Sequence, residues 1–296
     1  MPEGVVYIDG EFVSPNDAKI SVFDHGLLYG DGVFEGIRFY NGRIFKLAEH
    51  VDRLFASAEK IGLTVPCSKE EFAQLVLKTT AKSGLHDGYL RPLVTRGSGD
   101  LGLDPRKSKK SSIVIICSTI NLYGSKHETG LNAIVASVRR TPPSSLNPNI
   151  KSLNYLNNIL AKSEANVKGA DEAIILDQEG YVAEASADNI FAVKGGVVYT
   201  PPTVTNLVGI TRGTILDISK GTYETRVERF KVDFLLKADE VFITGTGGEV
   251  AGVVEIDGQK IGVGVPGPVT KDLQKKYFAL VRSTGVPIPS AGNNGH

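Results

Sequence analysis

A surplus of charge is the first thing this 296-residue sequence does not have. Lysine plus arginine number 33 and aspartate plus glutamate number 33, so the formal net charge is zero. A chain so balanced has no general attraction for nucleic acid or for a membrane surface, and only local basic sites remain open to it. The cluster Arg106-Lys-Ser-Lys-Lys110 reads as a solvated loop. Cysteine is scarce as well. Cys67 and Cys117 are the only two, with no CxxC and no Cys/His ligand spacing. That argues against a disulfide framework and a metal site, and it fits a reducing cytoplasm. Apolar runs such as 113–117 fall far short of the ~20 residues that cross a bilayer. Met1-Pro-Glu-Gly4 has no basic region followed by an apolar core, so no secretion signal is expected. There is no internal repeat, and a dinucleotide fold has no support.

The remaining composition is that of a globular protein, 41% hydrophobic and 22% charged, and the length favours two domains. Residues 5–8 and 11–13 read as strands around Asp9-Gly10, and 37–40 and 43–45 as strands around Asn41-Gly42. Both dipeptides suit the positive backbone angles of a type I′ hairpin. A glycine-rich loop, 24–32, lies between them. Leu47, Val51, Leu54, Phe55, Ala58 and Ile61 form one helical stripe that stops at Gly62. Ser68 and Glu71 make a capping box for a second helix closed by Gly84. Strands return at 89–95 and 112–119.

Residues 121–130 are polar and unpatterned, and are read as a linker between a domain of residues 1–120 and one of 131–296. The second domain has strand-like segments at 131–138, 173–176, 181–185, 190–193, 197–199, 222–227 and 240–244. It adds a hairpin over Asp257-Gly258 and helices over 210–218 and 269–282. Helices mixed with mainly antiparallel hairpins in both halves predict an α+β fold. Residues 287–296, rich in Pro, Gly and Asn, are expected to fray.

The stretch Asn147-Pro-Asn-Ile-Lys-Ser-Leu-Asn-Tyr-Leu-Asn-Asn158 lies near the middle of the chain. Pro142, Pro143 and Pro148 forbid a helix before Ile150. Beyond Leu153 the spacing of Leu156, Ile159, Leu160 and Val167 is helical. Lys151 is thereby held at the end of an extended segment just before a helix, where it can point inward. Tyr89 and Arg91 share one face of a strand by the period of two.

Eight motifs occur in a fixed order: Val33-Phe-Glu-Gly-Ile-Arg38, Glu49-His-Val-Asp-Arg53, Tyr89-Leu-Arg-Pro92, Ile150-Lys151, Asn154-Tyr-Leu156, Glu184-Ala-Ser-Ala-Asp-Asn-Ile-Phe191, Gly209-Ile-Thr-Arg212 and Gly245-Thr-Gly-Gly-Glu249. In these the chain resembles the fold-type IV pyridoxal-phosphate enzymes, specifically the branched-chain amino acid aminotransferases. Ala185 and Ala187 stand where that family more often has glycine.

The resemblance implies a two-domain fold, pyridoxal 5′-phosphate as cofactor, and at least a homodimer. It makes Lys151 the Schiff-base lysine and proton shuttle, Glu184 the partner of the ring nitrogen, and Tyr155 the partner of the phenolic oxygen. Asn189 would support the Glu184 loop. The phosphate would take amides and hydroxyls from Ile210 and Thr211, where Gly209 opens a helix with a positive dipole end. Thr246, in a glycine-rich turn, and Arg53, by a bidentate fork, would complete that site. Substrate would meet Tyr29, Phe34, Gly36, Tyr89, Arg91, Thr246 and Gly247, while Leu103 would reach a neighbouring subunit's pocket. A surface pairing of Arg91 with Asp100 is the alternative for that arginine. The implied reaction passes an amino group between leucine, isoleucine or valine and 2-oxoglutarate by a ping-pong cycle. An aminodeoxychorismate lyase, a D-amino acid or (R)-amine aminotransferase, and a cofactor carrier without turnover are the rival readings.

Overall fold

The structure, a computed structural model, describes residues 4–289. The start 1–3 and the expected fraying of 290–296 lie outside those residues. In chain order the elements are β1 Gly4–Ile8, β2 Glu11–Val13, α1 His25–Tyr29, β3 Gly32–Phe34, β4 Ile37–Tyr40, β5 Arg43–Ile44, α2 Leu47–Lys60, α3 Lys69–Ser83, β6 Gly88–Thr95 and β7 Ser112–Ser118. There follow α4 Lys126–Thr129, β8 Leu131–Arg139, α5 Leu156–Val167, β9 Glu172–Leu176, β10 Val182–Ala185, β11 Asn189–Lys194, β12 Val197–Thr200, α6 Ile210–Ser219 and β13 Thr225–Val227. The chain closes with α7 Val232–Leu236, β14 Glu240–Gly245, β15 Glu249–Ile256, β16 Gln259–Lys260, α8 Pro268–Ser283 and β17 Val286–Pro287. No helix among the described residues is long and apolar enough to cross a membrane.

Two compact units divide the chain. One comprises the residues through Ile120, Ile150–Asn154, and those from Val281 on; the other comprises Asn121–Asn149 and Tyr155–Leu280. The stretch read as a linker therefore packs within the second unit, where the Tyr123 hydroxyl donates to Glu172 (3.1 Å) and Asp188 (2.8 Å). The lysine segment returns to the first.

In the first unit the sheet order is β17-β5-β4-β6-β7-β1-β2, with β3 also on β6. Its pairings are antiparallel. Strands β3 and β4 form one line interrupted at Glu35-Gly36, opposite Arg91-Pro92 of β6. Proline has no N–H to give, and a central strand tolerates it only where pairing breaks. Here the Pro92 carbonyl still accepts the Glu35 amide at 2.8 Å, while the Glu35 side chain turns into the core. Helices α2 and α3 cover the sheet with Leu47, Val51, Leu54, Phe72 and Val76. The loop expected at 24–32 holds a helical turn, because the Asp24 carboxylate caps the Gly26 amide at 2.7 Å. Pro287, expected in the frayed tail, is paired with β5.

In the second unit the order is β10-β9-β8-β15-β14-β11-β12-β13, with β16 on β15. Three of its pairings, β12 with β13, β15 with β8 and β8 with β9, are parallel, where the sequence suggested mainly hairpins. The expected strand at 222–227 is shortened to β13, since Thr222 and Tyr223 donate back to the Ser219 carbonyl in a turn. Helix α5 is turned the opposite way from its apolar spacing. Ala161 and Ala165 pack on Ile134, Ala136, Ala173 and Ile175. Leu156, Ile159 and Val167 are 62%, 57% and 89% exposed. Small residues let the helix approach the sheet closely, so the large ones are left outside.

Candidate active site

Lys151 is held by backbone bonds to the interrupted strand of the first unit. The Phe34 amide donates to the Lys151 carbonyl and the Leu153 amide to the Gly32 carbonyl, both at 2.9 Å. Ser152 bridges to Val33, and the Lys151 amide donates to Ser57 Oγ at 3.1 Å. So tied, the side chain lays its Nζ over the Phe34 ring, 4.3 Å from the centroid. Arg91 reaches the same ring at 4.9 Å and donates through Nη2 to the Tyr89 hydroxyl at 2.9 Å. Gly36 makes room for that hydroxyl: a Cβ there would stand 2.1 Å from it. Arg91 Nε is buried and has no hydrogen-bond partner among the described residues, and Asp100 instead approaches Lys107 at 3.7 Å.

Beneath Phe34 lies a buried charge cluster. Glu35 takes a fork from Arg53, Nε to Oε1 at 2.6 Å and Nη2 to Oε2 at 2.8 Å, and a third donor from His50 Nδ1 at 2.8 Å. Burial alone would raise the Glu35 carboxyl, yet the Arg53 guanidinium and His50 hold it at about 2. Burial pushes the His50 imidazole down; Glu35 opposes this, and the Arg53 and Lys151 cations add to it. Arg53, expected at the phosphate, thus has its fork on Glu35. Tyr29 donates to the Leu101 carbonyl at 2.6 Å, and Leu103 is 79% exposed.

The second unit carries the other expected groups. Glu184, buried on β10, accepts the Leu207 amide at 3.1 Å and faces Arg140 Nε at 2.6 Å. Asn189 donates to the Leu207 carbonyl at 2.9 Å, stands opposite Thr244 in register, and lies against Gly209, where a Cβ would come within 1.9 Å of its Oδ1. One residue thereby gathers the Glu184 loop, the start of α6 and the end of β14. The first turn of α6 has no side-chain cap, and Thr211 is buried in it. The half-buried Thr246 and Gly247 form the β14–β15 turn. Tyr155 is the N-cap residue of α5. Glu35, His50, Ser57, Arg140, Asn157 and Asn158 were not anticipated as site residues. For His50 and Ser57 a signal existed: with Arg53 they are polar positions at helical spacing along the otherwise apolar face of α2.

The family profile of class IV amino-transferases matches residues 32–256. The chain belongs to the class IV aminotransferases. It is 48% identical over 285 residues to a putative branched-chain-amino-acid aminotransferase of Methanocaldococcus jannaschii, covering 96% of this chain and 98% of that one. It is 41% identical over 286 residues to the branched-chain-amino-acid aminotransferase of Pseudomonas aeruginosa, covering 94% and 93%. Among solved structures, the T.th. branched-chain amino acid aminotransferase complexed with N-(5′-phosphopyridoxyl)-L-glutamate superposes with a TM-score of 0.90 at 39% identity, covering 95% of each chain. The expected α+β fold of this class is the fold found, and its cofactor, pyridoxal 5′-phosphate, comes with the family. The side chains present suit the chemistry of that cofactor: an amine in the first unit (Lys151), and in the second a buried carboxylate (Glu184) and a helix start without a side-chain cap, entered through Gly209, where a Cβ would come within 1.9 Å of Asn189 Oδ1.

Proposed function

We propose that the protein transfers the amino group between L-leucine, L-isoleucine or L-valine and 2-oxoglutarate by a ping-pong cycle through a Schiff base on Lys151. The observation that carries this is the Phe34 ring, with the Lys151 amine over it at 4.3 Å and the Arg91 guanidinium at 4.9 Å. A branched aliphatic side chain needs an apolar wall, whereas the side chain of glutamate needs a cation. Both lie beside one amine. The names of the relatives described above point the same way.

In this reading Lys151 forms the covalent link and, once released, moves the alpha proton of the substrate, a role worth on the order of 10²–10⁴-fold. The cofactor supplies an electron sink for the bonds at the alpha carbon. Glu184 supplies the anion for the ring nitrogen and Tyr155 a hydrogen bond for the phenolic oxygen, with Asn189 holding the Glu184 loop. Ile210, Thr211 and Thr246 bind the phosphate, and Arg53, whose Nε and Nη2 are engaged by Glu35, contributes positive charge there rather than a bidentate fork. Tyr89, Arg91, Phe34, Gly36, Tyr29, Thr246 and Gly247 face substrate, and Leu103 serves a neighbouring subunit. A homodimer is supported by the exposed stripe of α5 and by Leu101 and Leu103. Two free cysteines suit a reducing cytoplasm.

The visible absorption spectrum tests the reading. A yellow band that L-leucine bleaches and 2-oxoglutarate restores, absent in Lys151→Ala, is the expected result. A band indifferent to leucine but responsive to D-amino acids, (R)-amines or aminodeoxychorismate moves the substrate to those classes. A band that no amine changes makes the protein a carrier.

A further inference from the structure

Glu184 is not the end of its own chain of contacts. Arg140, 8% exposed at the end of β8, stands with Nε 2.6 Å from Glu184 Oε1, out of line for a hydrogen bond, so the contact is chiefly ionic. Its Nη1 donates to Asn157 Oδ1 at 3.0 Å and Asn158 Oδ1 at 3.1 Å. Both amides are fixed in turn: Asn157 Nδ2 donates to the Arg139 carbonyl at 2.9 Å and Asn158 Nδ2 to the Ser186 carbonyl at 2.6 Å. The Arg140 backbone is held as well, its amide donating to the Leu176 carbonyl at 2.8 Å and its carbonyl accepting Gln178 Nε2 at 2.9 Å. A guanidinium is planar and permanently charged, so fixing one edge fixes the other. The edge toward α5 meets only neutral amides. The edge toward Glu184 meets the carboxylate.

We propose that Arg140 is a positioning residue for Glu184, and that Asn157 and Asn158 aim it. The first turn of α5, which follows its N-cap Tyr155, then governs how the ring nitrogen of the cofactor is met. The inference rests on the reading of Glu184 given above. Without Arg140 the buried carboxylate loses the cation that stands 2.6 Å from it, a costly change that it can relieve by moving or by ceasing to be an anion. Either change removes its selectivity for a nitrogen at that ring position.

The test measures dissociation constants of full-length protein for pyridoxal phosphate and for the analogue carrying CH in place of the ring nitrogen. Wild type is expected to favour the nitrogen cofactor by about 10–100-fold, the worth of a charged hydrogen bond. Arg140→Met is expected to lose most of that preference, and Asn158→Ala part of it, with affinity for the CH analogue unchanged. Glu184→Gln serves as the reference for complete loss. Arg140→Met that keeps the wild-type preference, or that weakens both cofactors equally, overturns the proposal. Should Arg140→Met fail to fold, Arg140→Lys and Asn158→Ala decide: an unchanged preference in both overturns it. A wild type that binds the two cofactors equally refutes the role of Glu184 instead, and this inference falls with it.

Discussion

Glu35 owes its ionised state to two neighbours on α2. Its folded value lies near 2 against an ordinary 4.5, so the unfolded chain binds more protons between those limits. The stabilisation is therefore complete above pH 4.5 and lost as pH falls toward 2, on the order of 3 kcal/mol in all. Glu35→Gln should lower the urea midpoint at pH 7, and the gap from wild type should narrow steadily below pH 4.5. A gap independent of pH would rule out the ion pair as its source. Arg91 presents a different case, a buried Nε with no hydrogen-bond partner among the described residues, beside an apolar ring. Arg91→Met should cut kcat/KM for glutamate by about 10–100-fold, the range of a charged hydrogen bond, and change that for leucine only a few-fold. Equal losses for both substrates would remove the assignment of Arg91 to the acidic side chain. Neither Glu35 nor Arg140 declares its partner in the sequence, because a buried charge is meaningful only beside a counter-charge that the fold brings from elsewhere.

Among the elements, α3 and α5 make a useful contrast. Every device of α3 is local: Ser68 accepts the Glu71 amide at 3.1 Å and Glu71 accepts the Ser68 amide at 2.8 Å. Its start could be read from four residues, and Ser68→Ala should cost about 1 kcal/mol in chemical denaturation. The orientation of α5 could not be read in that way. Its large apolar residues have helical spacing, which would place them in a core, yet alanines occupy the buried face. In the proposed dimer the exposed stripe is the surface that a second copy covers. Ile159→Asp with Leu156→Asp should then shift the mass measured by sedimentation toward a single chain. An unchanged mass would take the stripe out of the interface. The motifs at Lys151, Glu184 and Gly209-Ile-Thr-Arg212 are short runs, and the roles expected of them came from their resemblance to one family. Their supports, Ser57, Asn157 and Asn158, come from helices whose sequence alone does not say which face is buried.

For the whole molecule, ligand binding is the natural probe of the assignment. Pyridoxal phosphate at 100 times its dissociation constant should add about 2.7 kcal/mol to stability. In a chain of this size that is a rise of several degrees in Tm. Lys151→Ala and Glu184→Gln should each reduce the rise, and an undiminished rise in both would place the cofactor elsewhere. Asp9-Gly10, Asn41-Gly42 and Asp257-Gly258, each with positive φ at both residues, turn as their own chemistry requires. Those hairpins, the capping box and the stripe of α2 depend on neighbours within a few residues, and the sequence alone determined them. The three parallel pairings of the second sheet, the return of 150–154 to the first unit, the outward face of α5 and the Glu35 and Glu184 charge clusters were decided only by the tertiary structure. Each depends on residues far apart in the chain, whose burial and pairing exist only once the chain has closed on itself.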